Sequence, residues 1–130
     1  MNRISDSLSM IKNALSTKKS EVTIYGNSII KNICEIMKKE GYIKNYEIVE
    51  PLKSLIRVEL KYTDEKRKNP ALSLIRVVSK PSRRIYVKCE DIKPVVSGLG
   101  IGIVSTNQGV MTTYQAKKRK LGGELICELF

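Results

Sequence analysis

Apolar residues recur with a helical spacing in two segments near the start of the chain. Between residues 4 and 17 they lie three or four positions apart, which places them on one face of a helix. Residues 22–25 form a short β-branched stretch that predicts a strand. A second helix is predicted after it, because Asn27 or Ser28 can cap its first turn and Gly41 can end it.

The spacing then changes to that of strands. Residues 42–50 are predicted to be extended, and apolar and charged residues alternate strictly over 56–62, as in a half-buried strand. The first part of the chain is therefore predicted to fold as α-β-α-β-β, with two helices on a small sheet. The most polar stretch, residues 63–70, favours a boundary between one module at 1–65 and a second module at 66–130.

Short strands separated by turns dominate the second part. The predicted elements are a strand at 72–78, a turn at 80–83, a strand at 84–88, a turn of helix at 91–96, a strand at 101–104, a helix capped by Thr112 or Thr113 and running to Lys120, and a strand at 125–130. We expect Gly122-Gly123 to stop that helix. The fold class is thus α+β, with the α-β-α-β-β module packed with a mainly β module that carries one short basic helix.

The charge of the chain indicates a partner. The sequence has 24 Lys and Arg and 13 Asp and Glu, a net charge of +11. Residues 1–65 hold 11 basic and 9 acidic side chains, whereas residues 66–130 hold 13 and 4. Such an excess destabilises the compact state by self-repulsion, so it favours a polyanion bound mainly by the second half.

The composition argues against an enzyme, a metal site and a membrane protein. The chain has no histidine, the commonest general base and metal ligand, and we expect no cofactor and no small-molecule substrate. Cys34, Cys89 and Cys127 lie far apart in apolar surroundings, as buried reduced thiols do. No apolar run approaches the ~20 residues of a membrane span and no leader peptide is recognisable, so we expect the protein to work where it is made.

A glycine-rich run at 98–102 has only a superficial likeness to a phosphate-binding loop. The dinucleotide motif needs a third glycine where Ile103 stands, and a P-loop needs a Gly-Lys-Ser/Thr triplet that the sequence lacks. We expect these glycines to let the chain bend into a strand and pass close to another backbone.

The strongest candidates for recognition are five small or amide-bearing residues after the strand at 101–104: Ser105, Thr106, Asn107, Gln108 and Gly109. Their hydroxyls, amides and backbone NH groups can read base edges and ribose 2′-hydroxyls in irregular RNA. A plain polar hairpin turn explains the same residues, and on local chemistry alone it is the better explanation.

Two basic groups flank this stretch in the sequence. One lies around a turn, with Tyr86 among its members as a possible stacking surface, and consists of Lys80, Arg83, Arg84 and Lys88. The other lies on the predicted short helix and consists of Lys117, Lys118, Arg119 and Lys120. Cations that position a phosphate backbone beside a polar reading loop make a coherent RNA site, although a solvated face or a localisation tag also explains the second group.

Several motifs occur in register along almost the whole chain. The clearest is Gly-Leu-Gly-Ile-Gly-Ile-Val-Ser-Thr-x-x-Gly-Val-Met-Thr at 98–112, followed by Ala116 and by Gly-Gly-Glu-Leu-Ile-Cys at 122–127. Others are Ile-Arg-Val-Val-Ser-Lys-Pro at 75–81, Arg-Ile-Tyr at 84–86, Glu-Gly-Tyr-Ile at 40–43 and Ile-Lys-Asn-Ala at 11–14. In order and spacing they resemble the bacterial-type small-subunit ribosomal protein eight family.

The resemblance implies a non-enzymatic, α+β protein of two small modules. It would be a primary binder of the central domain of small-subunit ribosomal RNA, needed for assembly, with neighbouring small-subunit ribosomal proteins as further partners. In that family the loop matching residues 105–109 reads an irregular internal loop, and the aromatic residue matching Tyr86 lies nearby. The residue matching Glu124 helps to hold the loop region.

The chain departs from the family at three places. The family usually has Ser and Lys or Arg at the positions of Asn107 and Gln108, and Pro-Gly-Leu where this chain has Pro-Ser-Arg at 81–83. It usually has Thr-Asp-Arg-Glu-Ala where this chain has Thr-Thr-Tyr-Gln-Ala at 112–116, which puts a direct role of that segment in doubt. Such drift favours the ribosome of an organelle, a plastid first, over that of a bacterial cytoplasm.

A free-standing basic adaptor is the alternative function. It would bind nucleic acid or anionic surfaces without sequence selectivity. Its affinity would come almost entirely from counterion release, with a steep salt dependence and little preference among RNAs.

Overall fold

The computed structural model describes residues 3–50, 52, 54–63, 66, 69–80, 82–95 and 98–130. By their internal contacts they divide into two compact units, one running to Ser73 and the other from Leu74 to Phe130. The described elements are helices and antiparallel sheets, and the second unit is mainly β. The predicted α+β class is therefore confirmed.

The first unit has the predicted order α-β-α-β-β. Its elements are α1 (Arg3–Ser16), β1 (Glu21–Tyr25), α2 (Ser28–Lys39), β2 (Ile43–Glu50) and β3 (Leu55–Leu60). The side chain of Asn27 caps α2 by accepting a hydrogen bond from the backbone NH of Ile30 at 2.9 Å. The helix ends where Gly41 takes a φ of +80°, as its position in the sequence predicted.

The sheet of the first unit has the order β1-β3-β2 and a buried and an outer face. Along β3, Ile56, Val58 and Leu60 are buried, and the residues between them are half-buried. Arg57 lies among these, and its guanidinium contacts the carboxylate of Glu47 at 2.5 Å. The alternation of apolar and charged residues therefore gives one face to the core and leaves a charged face outside.

The second unit is built around its last strand. Its elements are β4 (Ile75–Val77), β5 (Tyr86–Val87), a 3-10 turn (Cys89–Asp91), β6 (Ile101–Thr106), β7 (Gly109–Thr112), α3 (Thr113–Lys118) and β8 (Gly123–Leu129). β8 pairs with β6 along one edge, and β4 and β5 lie one after the other along its other edge. Buried side chains of β6, β7 and α3 pack together as Val104, Met111 and Ala116.

The predicted strands at 72–78 and 84–88 do not pair with each other across the turn between them. The backbones of Lys80 and Arg83 do bond to each other at 2.9 Å as a tight turn, of which Pro81 lies outside the described residues. Both flanking strands are shorter than predicted and pair with β8. The local sequence specifies the turn, but the paired residues of β8 lie 36 to 54 positions further along the chain.

Two predicted helical segments also differ from the structure. The turn of helix expected at 91–96 lies at Cys89–Asp91, and the backbone is already extended at Ile92. Helix α3 ends at Lys118 instead of Lys120, because Lys120 takes the left-handed φ of +58° that usually falls to glycine. The double glycine therefore does not stop the helix.

The glycine-rich run behaves as expected from its sequence. A Cβ atom at Gly100 would lie 2.5 Å from the carbonyl oxygen of Leu129, so the strand β6 begins where two backbones pass closely. None of the helices in the described ranges is long and apolar enough to cross a membrane.

The three cysteines are free thiols in different environments. Cys34 and Cys127 are buried as predicted, whereas Cys89 is only half-buried. Burial raises the pKa of both buried thiols to about 12, with a smaller contribution from Glu128 at Cys127.

We predict that a thiol reagent such as a disulfide dye labels Cys89 alone in the native protein at pH 8. The reactive form is the thiolate, and at pH 8 a thiol with a pKa near 12 stays protonated as well as shielded. Unfolding in guanidinium should release all three thiols, and Cys89→Ser should reduce the native signal to near zero. Rapid labelling of two or more native thiols would contradict the prediction.

Candidate nucleic-acid interface

Pairing across the second sheet places three of the predicted site residues in one row. Tyr86 of β5 lies opposite Glu124 of β8, and Glu124 lies opposite Ser105 of β6. Side chains of directly opposed residues project from the same face of a sheet. The fold therefore brings Tyr86, Glu124 and Ser105 together beside the β6–β7 hairpin, although they are far apart in the sequence.

The hairpin itself is a two-residue turn with Asn107 and Gln108 at its tip. The hydroxyl of Thr106 accepts a hydrogen bond from the backbone NH of Gln108 at 3.1 Å and donates one to the carbonyl of Gly109 at 2.8 Å. Its single donor is therefore used inside the turn. Both tip side chains are exposed and Ser105 is half-buried, so these three offer the neutral polar groups of the loop to a ligand.

Arg84 and Glu124 form an ion pair beside this loop. The guanidinium of Arg84 and the carboxylate of Glu124 are 3.1 Å apart, and their side chains are 48% and 20% exposed. Glu124 is the better shielded of the two, and its carboxylate helps to orient the arginine. It does not bind a phosphate itself, because like charges repel. Tyr86 is 71% exposed, so one side of its ring is available for stacking.

The double glycine passes close to the backbones on both sides of it, at the end of β6 and at the end of β5. A Cβ atom at Gly123 would overlap the carbonyl of Ser105, and one at Gly122 would lie 2.6 Å from the carbonyl of Val87. Only glycine lets the start of β8 approach both neighbouring strands this closely. The sequence motif that suggested a helix stop is thus a requirement of the site.

Ser79 is a site residue that the sequence reasoning missed. Its buried hydroxyl accepts a hydrogen bond from the backbone NH of Ile85 at 3.0 Å and donates one to the carbonyl of Leu125 at 2.7 Å. It ties the segment that carries Arg84 and Tyr86 to β8. Its position in the motif at 75–81 was the only signal in the sequence.

The predicted cations differ in their surroundings. Lys80, Arg83 and Lys88 are exposed on the segment that contains β5. Lys117 instead donates a hydrogen bond from its ammonium to the backbone carbonyl of Ile92 at 3.1 Å. Lys118 is exposed on α3.

Helix α3 does not lie on the side of the sheet that carries Ser105. Val104 precedes Ser105 in β6, so their side chains project from opposite faces. Val104 packs against Ala116 of α3, whereas Ser105 is in the row with Glu124 and Tyr86. The structure therefore brings Arg84 of the first basic group to the row that contains Ser105, but it leaves Lys117 and Lys118 on the opposite side of the sheet.

The boundary at Ser73 affects the charge of each unit. Lys66, Arg67 and Lys68 precede it, so residues 1–73 hold 14 basic and 9 acidic side chains and residues 74–130 hold 10 and 4. The difference in net charge between the units is smaller than that between residues 1–65 and 66–130. Within the described ranges no cluster of three or more Cys, Asp or Glu side chains is arranged to hold a metal ion.

Comparisons with known proteins agree with the resemblance in the motifs. The family model for Ribosomal protein S8 matches residues 2–130. Small ribosomal subunit protein uS8 of Persephonella marina is 45% identical over 128 residues, which cover 95% of this chain and 94% of that protein. The protein of the same name in Sulfurihydrogenibium sp. is 41% identical over 128 residues, with the same two shares.

One further relative has the organelle form of the name. Small ribosomal subunit protein uS8c of Oltmannsiellopsis viridis is 42% identical over 73 residues, or 56% of each chain. The match of the family model to nearly every residue is the stronger result. The chain belongs to the ribosomal protein S8 family.

Proposed function

We propose that the chain is a structural component of the small ribosomal subunit that binds the central domain of small-subunit ribosomal RNA and supports assembly. Membership in a ribosomal protein family favours a structural, non-enzymatic role. The proposal of RNA binding rests on the row of Tyr86, Glu124 and Ser105 beside the hairpin tip. It joins a stacking surface, neutral hydrogen-bonding groups and cations at one end of a sheet.

The neutral groups of this row give the proposed site its selectivity. The hydroxyl of Ser105 and the amides of Asn107 and Gln108 can each donate and accept hydrogen bonds, which suits unpaired bases and ribose 2′-hydroxyls. Tyr86 can stack on a splayed base. Thr106 has the different role of a positioning residue, because its donor already fixes the turn.

The cations supply attraction and orientation. Lys80, Arg83 and Lys88 are exposed and can contact phosphates, which fixes the register of the RNA without reading its sequence. Arg84 is held by Glu124 and can present its remaining donors in a fixed direction. We therefore propose that the segment containing β5 contacts phosphates and that the hairpin contacts bases.

Neighbouring small-subunit ribosomal proteins are the proposed partners of the first unit. The outer face of its sheet carries Glu21, Glu47 and Glu59 around Arg57, and these carboxylates repel a phosphate backbone. The ribosome is proposed to be bacterial or organellar, since the family relatives come from both sources. The plastid preference rests only on the departures at 81–83, 107–108 and 112–116.

We predict that the protein binds a central-domain hairpin with its native internal loop at least a hundredfold more tightly than the same helix with the loop paired. That ratio corresponds to about 2.7 kcal/mol of selectivity. Ser105→Ala should lose most of this margin, because it removes a reading group and no charge. Affinities would be measured by equilibrium titration over a salt series. Equal binding of both RNAs, with Ser105→Ala behaving as the parent, would favour the basic adaptor.

We also predict that Thr106→Val weakens binding to the native hairpin by roughly tenfold, whereas Thr106→Ser leaves it within about twofold. Valine keeps the shape of threonine but loses the two hydrogen bonds inside the turn, each worth about 1 kcal/mol. Serine keeps the hydroxyl. The NMR resonance of the Gln108 backbone amide should shift in the valine variant and stay in place in the serine variant. This pattern would identify a change in the turn. A valine variant that binds normally would show that the hydroxyl does not position the loop.

A further inference from the structure

Helix α3 exposes an aromatic and a cationic surface that the proposed site does not use. Thr113 and Ala116 are buried against the sheet, and Tyr114 and Lys118 lie one helical turn apart on the exposed side. Tyr114 is 74% exposed, slightly more than the Tyr86 of the row. Arg119, the residue that follows the helix as its C-cap, is also exposed.

This surface is held rigidly. The hydroxyl of Thr112 accepts a hydrogen bond from the backbone NH of Gln115 at 3.1 Å, and the side chain of Gln115 bonds back to the NH of Thr112 at 3.4 Å. Thr113 accepts a hydrogen bond from the backbone NH of Gly102 at 3.3 Å. The ammonium of Lys117 bonds to the carbonyl of Ile92. These groups anchor the helix, whereas the exposed side chains of Tyr114, Lys118 and Arg119 take no part in these bonds.

The charge around α3 fits a polyanion. Residues 92–123 contain no acidic side chain, while residues 117–120 are all basic. The 3-10 turn that packs against α3 carries Glu90 and Asp91, so these two carboxylates offset part of the charge of the four basic residues. An exposed tyrosine one turn before a lysine combines a face for stacking with a contact for phosphate.

We infer that the outer face of α3, made of Tyr114, Lys118 and Arg119, binds a second segment of RNA. An unpaired base stacks on the ring of Tyr114, and the two cations contact the phosphates that follow it. This inference rests on the proposed function and adds a separate contact. Because α3 covers the face of the sheet opposite to Ser105, this contact lies on a different face from the row beside the hairpin. The second unit therefore lies between two RNA segments.

The test compares two RNAs of different extent. One is the minimal internal-loop hairpin and the other is the complete central domain that contains it. Tyr114→Ala should lower the affinity for the central domain by about tenfold, within the range found when a stacking aromatic is removed, and leave that for the hairpin within about twofold. Tyr114→Phe, which keeps the ring, should bind both RNAs as the parent does.

Matched controls separate stacking from simple loss of exposed surface or charge. Leu99→Ala removes an apolar side chain that is 71% exposed in the same unit, and it should not alter either affinity. Lys118→Gln should reduce the salt dependence of central-domain binding by about one phosphate contact without changing that of the hairpin. Far-ultraviolet circular dichroism and the melting temperature would show that each variant remains folded.

The outcomes distinguish this inference from the proposed function. If the parent protein does not prefer the native hairpin over its paired control, the proposed function fails and the inference fails with it. If the parent shows that preference but Tyr114→Ala binds the central domain as tightly as the parent, only the inference is overturned. A photoreactive phenylalanine at position 114 in assembled subunits should crosslink to RNA, and a crosslink to protein alone would overturn it as well.

Discussion

The start of β8 approaches the end of β6 so closely that no side chain fits at Gly123. A Cβ atom there would overlap the carbonyl of Ser105, the first residue of the proposed recognition loop. This approach sets the register in which Glu124 opposes Ser105 on one side and Tyr86 on the other. If β8 slipped by one residue, every side chain of the strand would change face, and Glu124 would leave the row. The proposed site therefore depends on a backbone contact, and its polar groups are placed by the contact.

The count of 24 basic side chains overstates the number of cations that are free to contact RNA. Arg84 is paired with Glu124 and Arg76 with Glu128, at 3.1 and 3.4 Å, and Lys117 donates to a backbone carbonyl. Exposed ion pairs contribute little to stability, so the main effect of the first pair is to fix a direction for Arg84. In the proposed function, attraction then comes from the exposed cations, while selectivity comes from neutral groups whose geometry the sheet defines. This separation is the reason why a salt series and a serine substitution probe different parts of the site.

Local signals in the sequence predicted most of the elements, because periodicity and capping act over a few residues. The helix after Asn27, its end at Gly41 and the alternation along β3 follow from such signals. The pairing of β5 with β8 could not be predicted from such signals. The two strands are far apart in the sequence, and the pattern of a two-residue strand does not specify which strand it pairs with. The left-handed residue after α3 is Lys120, although glycine is usual at that position. The double glycine therefore does not mark the end of the helix.

Within the site, the sequence identified which residue types could bind RNA but not their roles. Thr106 and Ser105 are chemically alike and adjacent, yet only Thr106 has its donor used inside the hairpin. Ser79, buried in the backbone network, could not be told from a solvent-exposed serine. Which face of the sheet a residue projects from also cannot be assigned from the sequence until the strand pairing is known. Adjacent residues of a strand project from opposite faces, so Val104 packs against α3 on one face while Ser105 projects from the other. The two faces of one sheet thus give this small unit two separate surfaces, and the basic helix lies on a different surface from the loop although the two are close in the sequence.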